Sequence, residues 1–222
     1  MGSTLSRQTN INKSIARRLA KASVSFGSLR DKVWEKSGIS VTTKLNVYKA
    51  VVLPSLLYGC QTMTVYARHA KKLNSFHMRC LRSILRIKWE DKVPDTEVLE
   101  KAKAESVFSL LKRAQLRWAG HVFRMEDSRI PKQLLYSELA DGSRKRGRPK
   151  LRYKDTLKAS LKDCHIDPET WEQSASDRLA WRHQVWKGAN SYEKHRIAKK
   201  KEQRRRRKER ESNVAHPPCS FS

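Results

Sequence analysis

The chain has 222 residues, 38% of them hydrophobic, and 49 Lys and Arg against 22 Asp and Glu give a formal net charge of +27. That length suits one domain or one and a half, and self-repulsion of that size suits a protein that meets a polyanion. No apolar run approaches the roughly 20 residues of a membrane span, and neither a lipidation motif nor a secretory leader is read. The expected partner is therefore RNA and/or DNA rather than a membrane, and the expected location is the nucleus or cytoplasm, not secretion.

In chain order, Ile11, Ile15, Leu19, Ala22, Phe26, Leu29 and Val33 recur at steps of three and four, which predicts an amphipathic helix. Thr9 or Asn10 caps its start and Gly38 marks its end. A second helix begins after Ser40 and runs through Leu45, Val52 and Leu56, with Pro54 set to kink or split it. A third spans about Ala67 to Leu85, with Leu73, Phe76, Cys80, Leu81 and Ile84 on one face. Asp95 is placed as the cap of a short helix around Val98 and Leu99. Ser106 opens a longer helix through Leu110, Leu111, Ala114, Trp118 and Val122, and Pro131 starts a short one reaching Leu139.

Residues 140–148 hold Gly, Ser and cations without an apolar anchor, so they read as a basic linker. A helix resumes with Tyr153, Leu157 and Leu161, and Asp167-Pro168-Glu169 signals another helix start. Trp171, Ala175, Trp181, Val185 and Trp186 form a small aromatic-rich unit. After Lys194 the segment Ile197 to Glu211 has high helix propensity but nothing to bury, so it is expected to be disordered, or a frayed helix that orders on binding. No period-2 alternation occurs. The predicted class is all-α: an irregular thumb-like helical bundle over 1–139, a linker over 140–148, a small helical unit over 149–193 and a basic tail over 194–222.

No catalytic constellation accompanies this charge. Polymerases and nucleases need carboxylates converging on metal ions, and the chain has no Asp-Asp pair. Glu90-Asp91 and Glu126-Asp127 read as capping or solvated surface beside cations. His121 has no nucleophile or carboxylate that spacing places beside it. Cys60, Cys80, Cys164 and Cys219 show no metal spacing and are expected as free thiols. No cofactor, metal or small-molecule substrate is expected.

The binding material is richer. Lys112, Arg113, Arg117 and Arg124 can share one side of a helix whose other side carries Leu110, Leu111, Ala114 and Trp118, and Trp118 is read as core more than as a stacking platform. The bland alternative for that helix is a solvated cationic face. Arg146-Gly147-Arg148-Pro149 has the core of an AT-hook, in which Gly allows close approach to the groove floor, Pro holds the backbone extended and two Arg enter a narrow minor groove. Arg144, Lys145, Lys150, Arg152 and Lys154 flank it as phosphate contacts, and the same stretch is equally a basic linker ending at a helix-starting Pro. The tail, with Lys199 to Lys201 and Arg204, Arg205, Arg206 and Arg207, fits nuclear import, a nucleic-acid arm or a solubilising segment.

Taken together, Gly2-Ser3-Thr4-Leu5, Lys44-Leu45-x-Val47-Tyr48-Lys49-Ala50-Val51-Val52-Leu53-Pro54, Leu57-Tyr58-Gly59, His77 to Arg82, Leu116-Arg117-Trp118-x-Gly120-His121-Val122, Arg129 to Leu134, and Arg148-Pro149 with Tyr153-Lys154-Asp155 carry a resemblance. Over about Gly2 to Trp186 the chain resembles the part of non-LTR (LINE-type) retrotransposon polyproteins downstream of the reverse-transcriptase palm. The resemblance implies a helical thumb that packs against the template–primer duplex and a basic connector after it. It also implies that the polymerase aspartates belong to a palm absent from this chain, and that His216-Pro-Pro-Cys219 stands where a Cys/His motif would open. Met63 departs from the family's usual Trp and changes local thumb packing. The expected function is catalytically inactive nucleic-acid binding. The competing expectation is a transposon remnant without a selected biochemical function, or a structural or interaction protein.

Overall fold

The computed structural model describes residues 11–137 and 151–215, and among them it is all-α with no strand. The ten helices are α1 Asn12–Gly27, α2 Val41–Val47, α3 Leu53–Leu57, α4 Ala67–Leu85, α5 Asp95–Lys101, α6 Val107–Phe123, α7 Ile130–Tyr136, α8 Tyr153–Asp163, α9 Trp171–Ser176 and α10 Arg178–Ala215. Local chemistry explains several boundaries. The Ser40 side chain accepts from the Thr43 N–H at the start of α2, and the Ser106 side chain does the same for Ser109 at the start of α6. α4 ends as its apolar spacing predicts, at Arg86 in the left-handed conformation (φ 55°).

Two local readings are corrected and one is borne out. The first helix stops at Gly27, and a separate π turn, Arg30–Trp34, follows, so Leu29 and Val33 do not continue its stripe. The caps expected for it, Thr9 and Asn10, lie outside the described residues. Around Pro54 the chain is split, one of the two outcomes expected of that proline: α2 passes through a wide π turn, Tyr48–Val52, before α3 begins with the proline in its first turn. Pro54 donates no N–H and crowds the carbonyl four residues back, which favours the wider winding. Asp95 is not the cap of α5; Pro94 holds that position, and Asp95 accepts from Arg82 at 2.8 Å. The tie from α4 outcompetes the local capping role.

Buried side chains form two clusters. The first gathers Ile15, Ala22, Trp34, Tyr48, Val52, Leu56, Leu73, Leu81, Val98 and Val107 from α1 to the start of α6. The second gathers Leu116, Ala119 and Val122 with Leu135, Leu157, Leu161, Trp171, Ala175, Trp181 and Val185. α6 thus enters both cores, one with each half.

Several resemblance motifs are packing devices. Tyr48 and His77, 29 residues apart, share a hydrogen bond of 2.8 Å inside the first core, and His77 Nε2 lies 3.1 Å from the Glu105 carbonyl. Burial drives the His77 imidazole down to about 4, so it is held neutral. Gly59 adopts a positive φ of 64°, and Arg18 sits against it and hydrogen-bonds the sulfur atoms of Cys60 and Met63. In the second core, a Cβ on Gly120 would lie 2.2 Å from Trp181 Nε1. Only glycine lets that indole lie on α6 and donate to the Leu116 carbonyl at 3.1 Å.

Candidate nucleic-acid interface

α6 and α10 carry many of the described cations. Trp181 and Val185 of α10 are buried against the half of α6 that carries Leu116, Ala119 and Gly120. At the other end of the crossing, Glu193 is buried and accepts from the Ser106 N–H (3.3 Å) and hydroxyl (2.7 Å) at the α6 N-terminus. Burial alone would raise the Glu193 carboxyl, but hydrogen bonds from Arg196 and Ser106 outweigh it and hold the group below the usual carboxylate range. A carboxylate at the positive end of a helix is favourable in its own right. The crossing is therefore locked at both ends.

On α6 Val107 and Ser109 are buried at the start and Leu116, Ala119, Gly120 and Val122 further along, whereas Leu110, Leu111, Ala114 and Trp118 are half-buried. The core side expected from Leu110 to Trp118 is displaced because α10 docks on the small residues Ala119 and Gly120. Trp118 packs edge-on against Tyr153 at 5.2 Å. The three cations of this helix and Arg124, at its C-terminal cap, also separate. Lys112 faces inward, ion-paired to Asp163 and 4.8 Å over the Tyr192 ring. Arg124 donates to the Ala175 carbonyl and ties α6 to α9. Arg113 pairs with Glu105 at 2.6 Å. Arg117 is exposed, as is His121.

Of the linker cations, Arg144, Lys145, Arg146, Arg148 and Lys150 lie outside the described residues. Arg152 is exposed at the start of α8, where its N–H and guanidinium both engage Asp155. In the tail, the helical alternative is the one found, because α10 runs unbroken from Arg178 to Ala215. The four-arginine run is partly neutralised along that helix: Arg205 pairs with Glu202 and Glu209, Arg206 with Glu202, and Arg207 with Glu211. Arg204 reaches the Lys92 carbonyl at 3.5 Å. All four arginines are exposed.

A grouping that periodicity alone does not single out lies alongside the packed stretch of α6 and α10. A hollow of about 410 Å³ is lined by Arg113 and Arg117 of α6 and by Leu179, Arg182, His183 and Trp186 of α10. Trp186, grouped by sequence with the aromatic unit, is 54% exposed rather than core. Positions 179, 182, 183 and 186 are spaced to share one side of a helix, and that spacing was the available signal.

Among the described residues, no group of three or more His, Cys, Asp and Glu could hold a metal ion. Glu126 and Asp127 make surface contacts with Ser128 and Lys132, and Asp91 accepts from the Lys88 N–H. Cys60, Cys80 and Cys164 are buried free thiols, and burial pushes Cys80 to about 12 and Cys164 to about 11. Thiols so disfavoured as thiolates make poor nucleophiles. No helix among the described residues is long and apolar enough to cross a membrane.

No protein-family model matches the chain, and no solved structure matches it. A search of curated proteins finds an uncharacterized transposon-derived protein of Caenorhabditis elegans, 23% identical over 191 residues, which span 82% of this chain and 67% of that protein. This similarity supports a transposon-derived origin for the chain.

Proposed function

We propose that this chain is a catalytically inactive, nucleic-acid-binding fragment of a LINE-type reverse transcriptase, which holds RNA or DNA by the phosphate backbone. The observation that carries the reading is the outer half of α10. Between Lys199 and Glu211 nine cations stand against three carboxylates, Glu202, Glu209 and Glu211, with no residue buried. These cations occupy all sides of the helix, which suits a polyanion that wraps or crosses it better than a flat membrane surface. Arg117, Arg152 and Arg182 add exposed cations on the body of the molecule, and the segment with Arg146 and Arg148 adds the hook-like candidate. Origin from a transposon and the resemblance to the region downstream of the palm point the same way. On this reading the polymerase aspartates belong to a separate palm, the natural partner of the first helical core. The basic tail also serves for nuclear import.

Backbone binding releases counterions, so affinity must depend on salt. With 6–10 phosphates engaged, the loss between 50 and 200 mM salt is on the order of 10³–10⁵-fold. A filter-binding titration that stays flat across that range removes the proposal. Primer extension with the purified chain should yield no product, and robust synthesis would overturn the assignment as inactive.

The uncharacterized, transposon-derived relative favours a second reading, a remnant without a selected biochemical role. Cellular abundance separates the two, since a maintained binder must accumulate as protein.

A further inference from the structure

The hollow between α6 and α10 differs from the remaining basic surface by holding an aromatic face. α10 buries Trp181 almost completely, yet leaves Trp186 54% exposed and Leu179 75% exposed. Apolar groups this accessible, set inside a cationic rim, are left uncovered by the described residues. His183 lies beside Trp186, with ring centroids 6.4 Å apart and planes 30° apart. Among the described residues, no carboxylate lines the hollow. Arg113 is engaged by Glu105, whereas Arg117 and Arg182 form no ion pair among the described residues, which leaves their guanidinium groups for an incoming anion.

We infer that this hollow receives one unpaired base of single-stranded RNA or DNA, stacked on Trp186, with its flanking phosphates held by Arg117 and Arg182. The inference rests on the nucleic-acid reading above and adds the state of the strand. A volume of about 410 Å³ lies at the small end of ligand sites, a scale that suits a single base and its sugar. The face of a base inside a duplex is covered by its neighbours, so only an unstacked base can meet an indole ring. Backbone charge alone needs no tryptophan, and an acidic peptide would use the arginines while leaving the ring uncovered.

The test uses the full chain with labelled thymidine DNA and uridine RNA oligonucleotides, and a DNA duplex of the same length. Loss of one stacked base should weaken single-strand binding by about tenfold or more, so Trp186→Ala should show that loss while duplex binding barely changes. Trp186→Phe should retain most of the affinity. The double variant Arg117→Ala/Arg182→Ala should weaken single-strand binding and flatten its salt dependence. An oligonucleotide of abasic sites, with the same charge, should bind the unaltered protein as weakly as the intact strand binds Trp186→Ala. Equal loss for duplex and single strand in Trp186→Ala overturns the inference. So does an abasic strand that binds as tightly as the intact one, a comparison that needs no variant to fold. Displacement of the oligonucleotide by a glutamate-rich peptide at equal charge concentration overturns it too. In each of those cases, persisting salt-dependent binding leaves the backbone reading standing; if neither oligonucleotide nor duplex binds at about 50 mM salt, both fall.

Discussion

From Arg178 to Glu193, α10 buries Trp181, Val185, Ala189 and Glu193 against the rest of the molecule, whereas from Lys199 to Glu211 it buries nothing. The inner half is fixed by shape: Gly120 and Gly188 each lie so close to a neighbour that a Cβ would meet it at 2.5 Å or less. The outer half is fixed by charge and propensity, with Arg–Glu pairs three and four residues apart along an exposed surface. Exposed pairs of this kind contribute little individually. The outer half is helical because it extends a turn already formed, which removes the nucleation penalty that an isolated basic segment would face. One helix therefore joins a core element to a charged arm.

The largest effect that could break this contrast is expected from Trp181→Ala. It empties the centre of the second core and should cost about 3–5 kcal/mol in urea denaturation. A loss near zero would show that the packing of α10 on α6 is not what holds the inner half.

Acid should act on the first core. The His77 imidazole is lowered from 6.5 to about 4 when folded, so the unfolded chain binds the proton first. Stability should be full above about pH 6.5 and fall as pH drops toward about 4, by on the order of 3 kcal/mol. His69 is also lowered, by burial and by Arg68 and Lys72, and acts in the same direction. The Glu193 contribution, from a carboxyl held low, is lost only at still lower pH. Urea melts of His77→Asn should be less stable at neutral pH but visibly flatter across the window; an unchanged slope would remove His77 as the cause.

A smaller change is expected from Gly120→Ala. Overpacking against Trp181 of about 1–3 kcal/mol should exceed the roughly 1 kcal/mol gained by replacing a helical glycine. A net gain in thermal midpoint would mean that the indole moves aside freely.

The smallest stability effect, within about 0.5 kcal/mol, is expected for truncation after Ala198. This boundary keeps Arg196, which pairs with Glu193 and lies over the Phe108 ring. The same truncation should lower the salt dependence of nucleic-acid binding by about 0.9 in slope for each phosphate that the tail no longer engages. A drop in midpoint with unchanged binding would invert the contrast between the two halves.

Much of the fold was legible because its signals are local. The apolar spacing of Leu73, Phe76, Cys80, Leu81 and Ile84 places α4 within its observed bounds, and Ser40 and Ser106 cap the helices they were expected to open. The break at Gly27 was harder to read, since the apolar spacing runs on through Leu29 and Val33 across the π turn that interrupts the helix. The site was less legible than the fold. The neutralisation of Arg205 to Arg207 by Glu202, Glu209 and Glu211 is local and could be read from three- and four-residue spacing, but the long-range ties could not. Lys112 and Arg124 look like surface cations in one dimension, yet Asp163 lies 51 residues from the first and Ala175 51 residues from the second.

The helical class, most helix positions, the lack of a paired-aspartate motif and the basic balance all follow from residue order, because propensity, periodicity and formal charge act within a few residues. Three-dimensional packing was needed to settle which tryptophan is buried and which is offered to solvent, that Gly120 exists to admit Trp181, and which arginines are tied to carboxylates or carbonyls. Those outcomes depend on where α10 crosses α6, and a hydrogen bond between positions 65 residues apart leaves no periodic trace in the chain.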